Sequence, residues 1–207
     1  LDVMNAMGYE AMTLHWEFNL GSETLLARIG EANFPVMAQN LVDTDFEDRV
    51  LPTNSLVKDF GDVKVAVVGQ AYPFSMLTTE LRDANPNWRM GYREDILQAE
   101  IDRVRAEEGA TVVILLSHMG LEQDKVMAGL LTGVDVIVGS HTHDILWQPE
   151  RVGQTVIVQA GSHGKLLGEL DLEIRNGKVD GVQHKLLPVL AERIEPDPDI
   201  GALIDKL

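Results

Sequence analysis

Three short runs of β-branched and aliphatic residues, 64–69 (KVAVVG), 111–117 (TVVILLS) and 134–139 (VDVIVG), alternate with stretches of helical periodicity. Nothing else in the chain restricts its fold as strongly. Strands that are apolar on both sides must be covered on both faces, which is the situation of central strands in a parallel sheet. Between the first two runs, residues 94–108 carry Ile96, Leu97, Ile101 and Val104 at helical spacing, with Gly109 placed to cap the end. Residues 121–131 form the next predicted helix. Upstream, residues 9–14 read as a strand followed by a polar loop over 15–21, then a helix capped by Ser22 with Leu25, Leu26 and Ile29 on one face. Residues 34–40 read as another strand, and a long loop runs through Pro73, Pro86 and Gly91. From Thr155 onward the pattern becomes antiparallel, with Leu170, Leu172 and Ile174 alternating ahead of an Asn176-Gly177 hairpin turn. Pro196-Asp197-Pro198 stops that pattern, and residues 199–207 read as the first turns of a helix. The sequence therefore predicts an α/β layered fold with an antiparallel C-terminal section.

Composition removes several classes of function. With 207 residues the chain can form one large domain, or one domain and part of another. Its 33 acidic and 17 basic side chains give a net charge of −16, which argues against a nucleic-acid partner because such binding depends on Lys and Arg neutralising phosphates. The longest uninterrupted apolar stretch, residues 112–116, is far short of the roughly 20 needed to span a bilayer, and no membrane association is expected. The chain does not open on Met or on a basic segment followed by an apolar one, so any targeting segment is expected to have been removed or never to have lain within it. The absence of cysteine excludes disulfides, thiolate metal sites and a cysteine nucleophile. Walker-type and dinucleotide-type glycine loops are absent, as is the Gly-x-Ser-x-Gly elbow.

Histidine placement carries the chemistry. Of six histidines, His15, His118, His141 and His143 each follow a predicted strand. Strand carboxyl ends and the loops leaving them form the ligand crevice of open α/β sheets, so these rings are predicted to converge as metal ligands. Each has a structural alternative. His118 alone is as readily a hydrogen-bonded histidine of the fold, whereas His141 and His143, two residues apart in a Gly-anchored loop, are better suited to chelation. His163 follows another strand and either lines the same crevice or faces water. His184 reads as a surface strand residue without a role. Glu17 is a candidate for orienting an imidazole tautomer, and Trp16 either roofs a substrate pocket or packs as core.

Taken together, residues 12–18 (MTLHWEF), 115–120 (LLSHMG), 139–143 (GSHTH) and 159–165 (QAGSHGK) resemble the calcineurin-like dinuclear metallophosphoesterases of the 5′-nucleotidase group. The resemblance spans nearly the whole chain. In that group the first loop usually reads Gly-Asn-His-Glu-Phe; here His15 stands in the place of the Asn and Trp16 in the place of the His. This substitution, with residues 65–74 (VAVVGQAYPF), is similar to the thiosulfohydrolases of the Sox sulfur-oxidation system. The resemblance implies a calcineurin-like metallophosphoesterase sandwich, with His15, His118 and His141 on one divalent ion and His143 on its neighbour, the pair being manganese or zinc. Trp16, Glu17 and His163 are the candidate catalytic residues. The implied reaction is attack of activated water on a cysteine S-thiosulfonate, releasing sulfate, with a periplasmic sulfur-carrier protein presenting the substrate on a cysteine-bearing arm. An Asp-x-His and a bridging Asp are expected upstream of residue 1. Residues 1–195 are expected to be part of a catalytic domain, and 196–207 to begin a linker helix to a further domain. Without the bridging carboxylate two neighbouring cations repel, so the isolated segment is expected to hold a dinuclear site poorly. Two other readings are a 5′-nucleotidase or related phosphoesterase and, in a different class, a metal-free binding module with structural histidines.

Overall fold

The computed structural model describes residues 1–46 and 48–206. In chain order the elements are α1 (Asp2–Ala6), β1 (Met12–Thr13), α2 (Ser22–Ile29), β2 (Val36–Met37), β3 (Val42–Asp43), β4 (Asp48–Arg49), β5 (Ser55–Asp59), β6 (Lys64–Gln70), α3 (Thr79–Ala84), β7 (Trp88–Arg89), α4 (Glu94–Ala106), β8 (Val112–Ser117), α5 (Leu121–Leu130), β9 (Val136–Val138), β10 (Glu150–Val152), β11 (Thr155–Val158), β12 (Leu166–Arg175), β13 (Lys178–Pro188) and α6 (Pro198–Ile204). Six strands make one mixed sheet in the order β10-β11-β9-β8-β6-β5. Strands β6, β8, β9 and β11 run parallel, while β5 and β10 run antiparallel at the two edges.

Alternation along the central strands divides their side chains between two layers. Ala66, Val68, Val113, Leu115, Ile137 and Ile157 face α4 and α5, where Leu97, Ile101, Val104 and Met127 complete the main core. Val136, Val156 and Val158 face the other way and pack beneath Leu170, Leu172 and Val182 of the β12–β13 hairpin. A second core gathers Leu14, Phe18, Leu25, Phe34 and Trp88 around the parallel β1–β2 pair. At Gly69 a Cβ would lie 2.5 Å from the Met37 Cβ, so glycine is what lets β2 approach β6.

Several expectations are corrected. The strands predicted over 9–14 and 34–40 shrink to Met12–Thr13 and Val36–Met37. Buried polar side chains take over beyond them: Asn40 donates to the Ala71 and Gly91 carbonyls and accepts from the Ala71 N–H. Ser22 is the first helical residue and not the cap; Gly21 occupies the cap position at φ +76°, with no side-chain cap bond. The long loop after residue 69 contains α3 and β7, and β7 pairs with β3. Helix α4 ends at Ala106 with Glu107 as its C-cap, and the chain reverses at Gly109 with φ +72°. Strand β11 is parallel to β9, so the C-terminal section is not wholly antiparallel; antiparallel pairing joins β10 to β11 and β12 to β13, with an isolated bridge between Ile145 and Ala160. That hairpin turns at Asn176 and Gly177, whose positive φ angles match its sequence. Helix α6 is capped by the Asp197 carboxylate, which accepts from Asp199 and Ile200. Leu207, the last residue of the helix predicted there, lies outside the described residues.

Leu115 is fully buried where β8 meets the helical layer. Leu115→Ala is expected to lower the unfolding free energy by about 2–5 kcal/mol in urea titrations, and the exposed Leu167→Ala by no more than about 0.5 kcal/mol.

Candidate metal centre

Register decides where the strand ends fall. Strands β6 and β8 pair from Val65 with Val112 through Gln70 with Ser117, and Leu116 pairs with Val138 of β9. Three carboxyl ends therefore finish at one level and release Tyr72, His118 and His141 onto the same rim. The His118 N–H bonds to the Gln70 carbonyl at 2.9 Å, extending the ladder by one residue. His15 arrives from the loop after β1.

His15, His118 and His141 form one cluster. Each offers a ring nitrogen within 4.8 Å of the others, and the ring centroids are 4.4 Å apart for His15 and His118, 4.9 Å for His15 and His141, and 5.4 Å for His118 and His141. Among the described residues no carboxylate joins this group. All three rings are held toward the neutral form. For His118 burial, followed by repulsion from His15, His141 and His143, brings the pKa down to about 4. Burial also lowers His15, helped by His141 and opposed by Glu17, and lowers His141, helped by His143. Neutral imidazoles are the form that ligates a metal.

The second hydrogen-bonding position of each ring tests this fit. Ser140 donates its hydroxyl hydrogen to the Ser117 carbonyl at 2.8 Å, so its oxygen receives the Nδ1–H of His118 at 2.9 Å. That assigns the proton to Nδ1 and leaves the Nε2 lone pair free. His15 and His141 each keep a buried Nδ1 with no hydrogen-bond partner, an uncommon state for a buried polar atom unless a further group satisfies it. The three rings therefore suit one divalent transition-metal ion.

The other candidates sit around this cluster. His143 is exposed and lies outside it, its ring 5.4 Å from that of His163. His163 is exposed too, with Nδ1 2.7 Å from the Ser162 hydroxyl. His141, His143 and His163 all adopt positive φ, at +80°, +60° and +60°. Such backbone is unusual outside glycine and is concentrated at this rim. Glu17 does not hold an imidazole; its carboxylate accepts the main-chain N–H of His15 at 2.8 Å. Trp16 is 73% exposed and tilts against His15 with centroids 4.7 Å apart, so it stands at the mouth and not in the core. His184 is half-buried on the hairpin with an unpartnered Nδ1, and burial lowers its pKa. Sequence reasoning passed over Tyr72, which stacks on His141 at 3.9 Å and meets His15 edge-on at 5.5 Å. Applying the strand-end rule to β6 would have found it. Ser140, which takes the tautomer-setting part expected of Glu17, carries no comparable signal because serine is common in loops.

No family model matches the chain. It is 31% identical to the 5′-nucleotidase of Bos taurus, over 98% of this chain and 39% of that protein, and 28% identical to the 5′-nucleotidase of Vibrio parahaemolyticus, over 94% and 40%. Among solved structures it superposes with a TM-score of 0.92 on the sulfate thiohydrolase SoxB of Thermus thermophilus, at 34% identity, covering 98% of this chain and 37% of that one. These likenesses support the 5′-nucleotidase/metallophosphoesterase superfamily. The fold is shared further with a 5′-nucleotidase precursor from Thermus thermophilus, at 23% identity and a TM-score of 0.83, covering 98% of this chain and 43% of that one. The mixed sheet and its helices are thus the calcineurin-like layered fold expected from the sequence. The chain spans about two fifths of the length of the curated relatives it matches. Among the described residues no helix is long and apolar enough to cross a membrane.

Depressed histidine pKa values give stability a defined pH dependence. The unfolded chain takes up protons near the ordinary value of 6.5, whereas folded His118 resists them until about 4. At His118 the unfolded state therefore binds more protons across that window, and this ring's contribution to stability falls as the pH drops, while the raised carboxyl of Asp124 works in the opposite direction. With a chelator present, lowering the pH from 7.5 to 5 is expected to disfavour the wild type more than His118→Asn, read as the difference between their urea midpoints.

Proposed function

We propose that this chain carries part of the catalytic site of a metal-dependent hydrolase, and that the whole protein is a thiosulfohydrolase acting on a cysteine S-thiosulfonate borne by a carrier protein in the periplasm. The loop His15-Trp16-Glu17-Phe18, at the mouth of the imidazole cluster, is the observation that carries the reading. The likeness to SoxB at 34% identity supports it. Manganese or zinc ions, when bound, would activate water and neutralise the oxygens of the sulfonate. His15, His118 and His141 would hold one ion, with His143 on the side toward a second.

The chain's own residues shape the rest. Glu17 is a positioning residue that holds the backbone at His15. Tyr72 braces His141 by stacking, and Trp16 presents an indole that cannot act as a general acid. In the proposed reaction water adds to the sulfonate sulfur, the adjoining S–S bond breaks, sulfate leaves, and the carrier keeps the sulfur as a persulfide. A persulfide anion is a weak base and departs without protonation, whereas an alkoxide leaving a phosphate ester needs a general acid. Trp16 suits the first case. His163, whose ring lies 5.4 Å from that of His143, would contact the anionic substrate.

A 5′-nucleotidase is the second reading, favoured by the 31% identity to curated nucleotidases over nearly the whole chain. The full-length protein is expected to release sulfate from a thiosulfonate-loaded carrier and to hydrolyse nucleoside monophosphates weakly; the opposite ranking would establish the second reading. Trp16→His is expected to raise phosphomonoester hydrolysis by on the order of 10²-fold. An unchanged rate would remove the leaving-group argument, and a full-length protein lacking bound transition metal would favour a binding module.

A further inference from the structure

We infer that Asp124 is a positioning residue for the imidazole cluster, holding from beneath both the loop that carries His118 and the loop that carries His141. The inference deepens the metal-dependent reading and rests on it for its purpose, though not for its geometry. Asp124 lies in the first turn of α5 and is fully buried. Burying a carboxyl is costly unless its oxygens are used, and an aliphatic side chain would fill the same volume without that cost. An aliphatic side chain could not take the hydrogen of Ser117.

One carboxyl oxygen, Oδ1, accepts the Ser117 hydroxyl at 2.5 Å, and the Ser117 oxygen in turn accepts the Met119 N–H at 3.1 Å. These two bonds close the turn with His118 at its centre. The carbonyl of the same Ser117 receives the Ser140 hydroxyl that assigns the His118 tautomer. The other oxygen, Oδ2, has no hydrogen-bond partner and lies under Gly139, where a Cβ would come within 2.3 Å of it. Gly139 opens the loop that continues through Ser140 to His141. Beside it, Gln159 donates to the Ser140 carbonyl at 3.1 Å and accepts the Asp144 N–H at 3.1 Å, fixing the far side of the same loop. Burial pushes the Asp124 carboxyl up to about 7, against the hydrogen bond from Ser117, as expected for an enclosed acid with a single neutral donor. One side chain thus reaches both ligand loops without touching either ring.

The test reads the rings directly in the metal-free 207-residue chain, by long-range proton–nitrogen NMR of the imidazoles at pH 8. Wild type is expected to show His118 as a single Nδ1–H tautomer. Asp124→Ala is expected to lose that single form and give a mixture, while His184, away on the hairpin, stays unchanged; general loosening would move both. Asp124→Asn, which keeps the acceptor for Ser117, is expected to restore the wild-type pattern. If Asp124→Ala does not fold, Ser117→Ala severs the same link and is expected to release His118 likewise. A single unchanged tautomer in the folded variant overturns the inference. Unfolding of both variants would assign Asp124 to folding alone and overturn it as well. Zn²⁺ uptake by the full-length protein is a separate measurement: its absence would remove the metal reading and leave the tautomer result standing.

Discussion

The parallel ladder joining β6, β8 and β9 is the constraint from which the rest of the structure follows. A parallel pair with fixed register ends where its shorter partner ends, and here three strands finish at one level. Residues as much as 69 positions apart in sequence, Tyr72, His118 and His141, reach one rim because of it. A slip of one residue would exchange the two faces of a strand, sending Leu115 and Ile137 away from the helical core. The burial that stabilises the sheet thereby also sets the height of the site.

A group of imidazoles this close is tolerable only while it stays neutral. Burial and mutual repulsion keep protons off His15, His118 and His141, and the cost appears as unpartnered ring nitrogens at His15 and His141. Only His118 has its second nitrogen occupied, through Ser140. Further strain is stored in the left-handed backbone at His141, His143 and His163. A buried polar cluster with unmet hydrogen bonds and strained backbone makes sense as a site prepared for something that completes it.

Much of this was legible beforehand for a simple reason. The aliphatic runs of the central strands and the periodicity of α4 are local signals that tertiary packing reinforces, so they survive into the structure. Short elements such as β3, β4 and β7 have no such signal, because two residues cannot show a period and their pairing is decided by distant partners. The histidines were found by their position after strands, a rule that holds whatever surrounds them. Ser140, Asp124 and the stacking of Tyr72 were not, since serine, aspartate and tyrosine are ordinary in loops and helices and acquire their parts only through neighbours brought in by folding. Glu17 is the instructive error: adjacency in sequence pointed to the ring of His15, and the carboxylate bonds to its backbone.

The sequence by itself determined the layered α/β class, the hairpin at Asn176-Gly177 and which imidazoles leave strand ends, because each depends on period, turn chemistry or position along the chain. Tertiary structure alone decided that three of those rings share a cluster while His143 turns toward His163, and that a buried acid lies beneath two of the loops. Those outcomes depend on register between strands and on which polar groups meet in the interior, and such distances arise only when separate segments pack together.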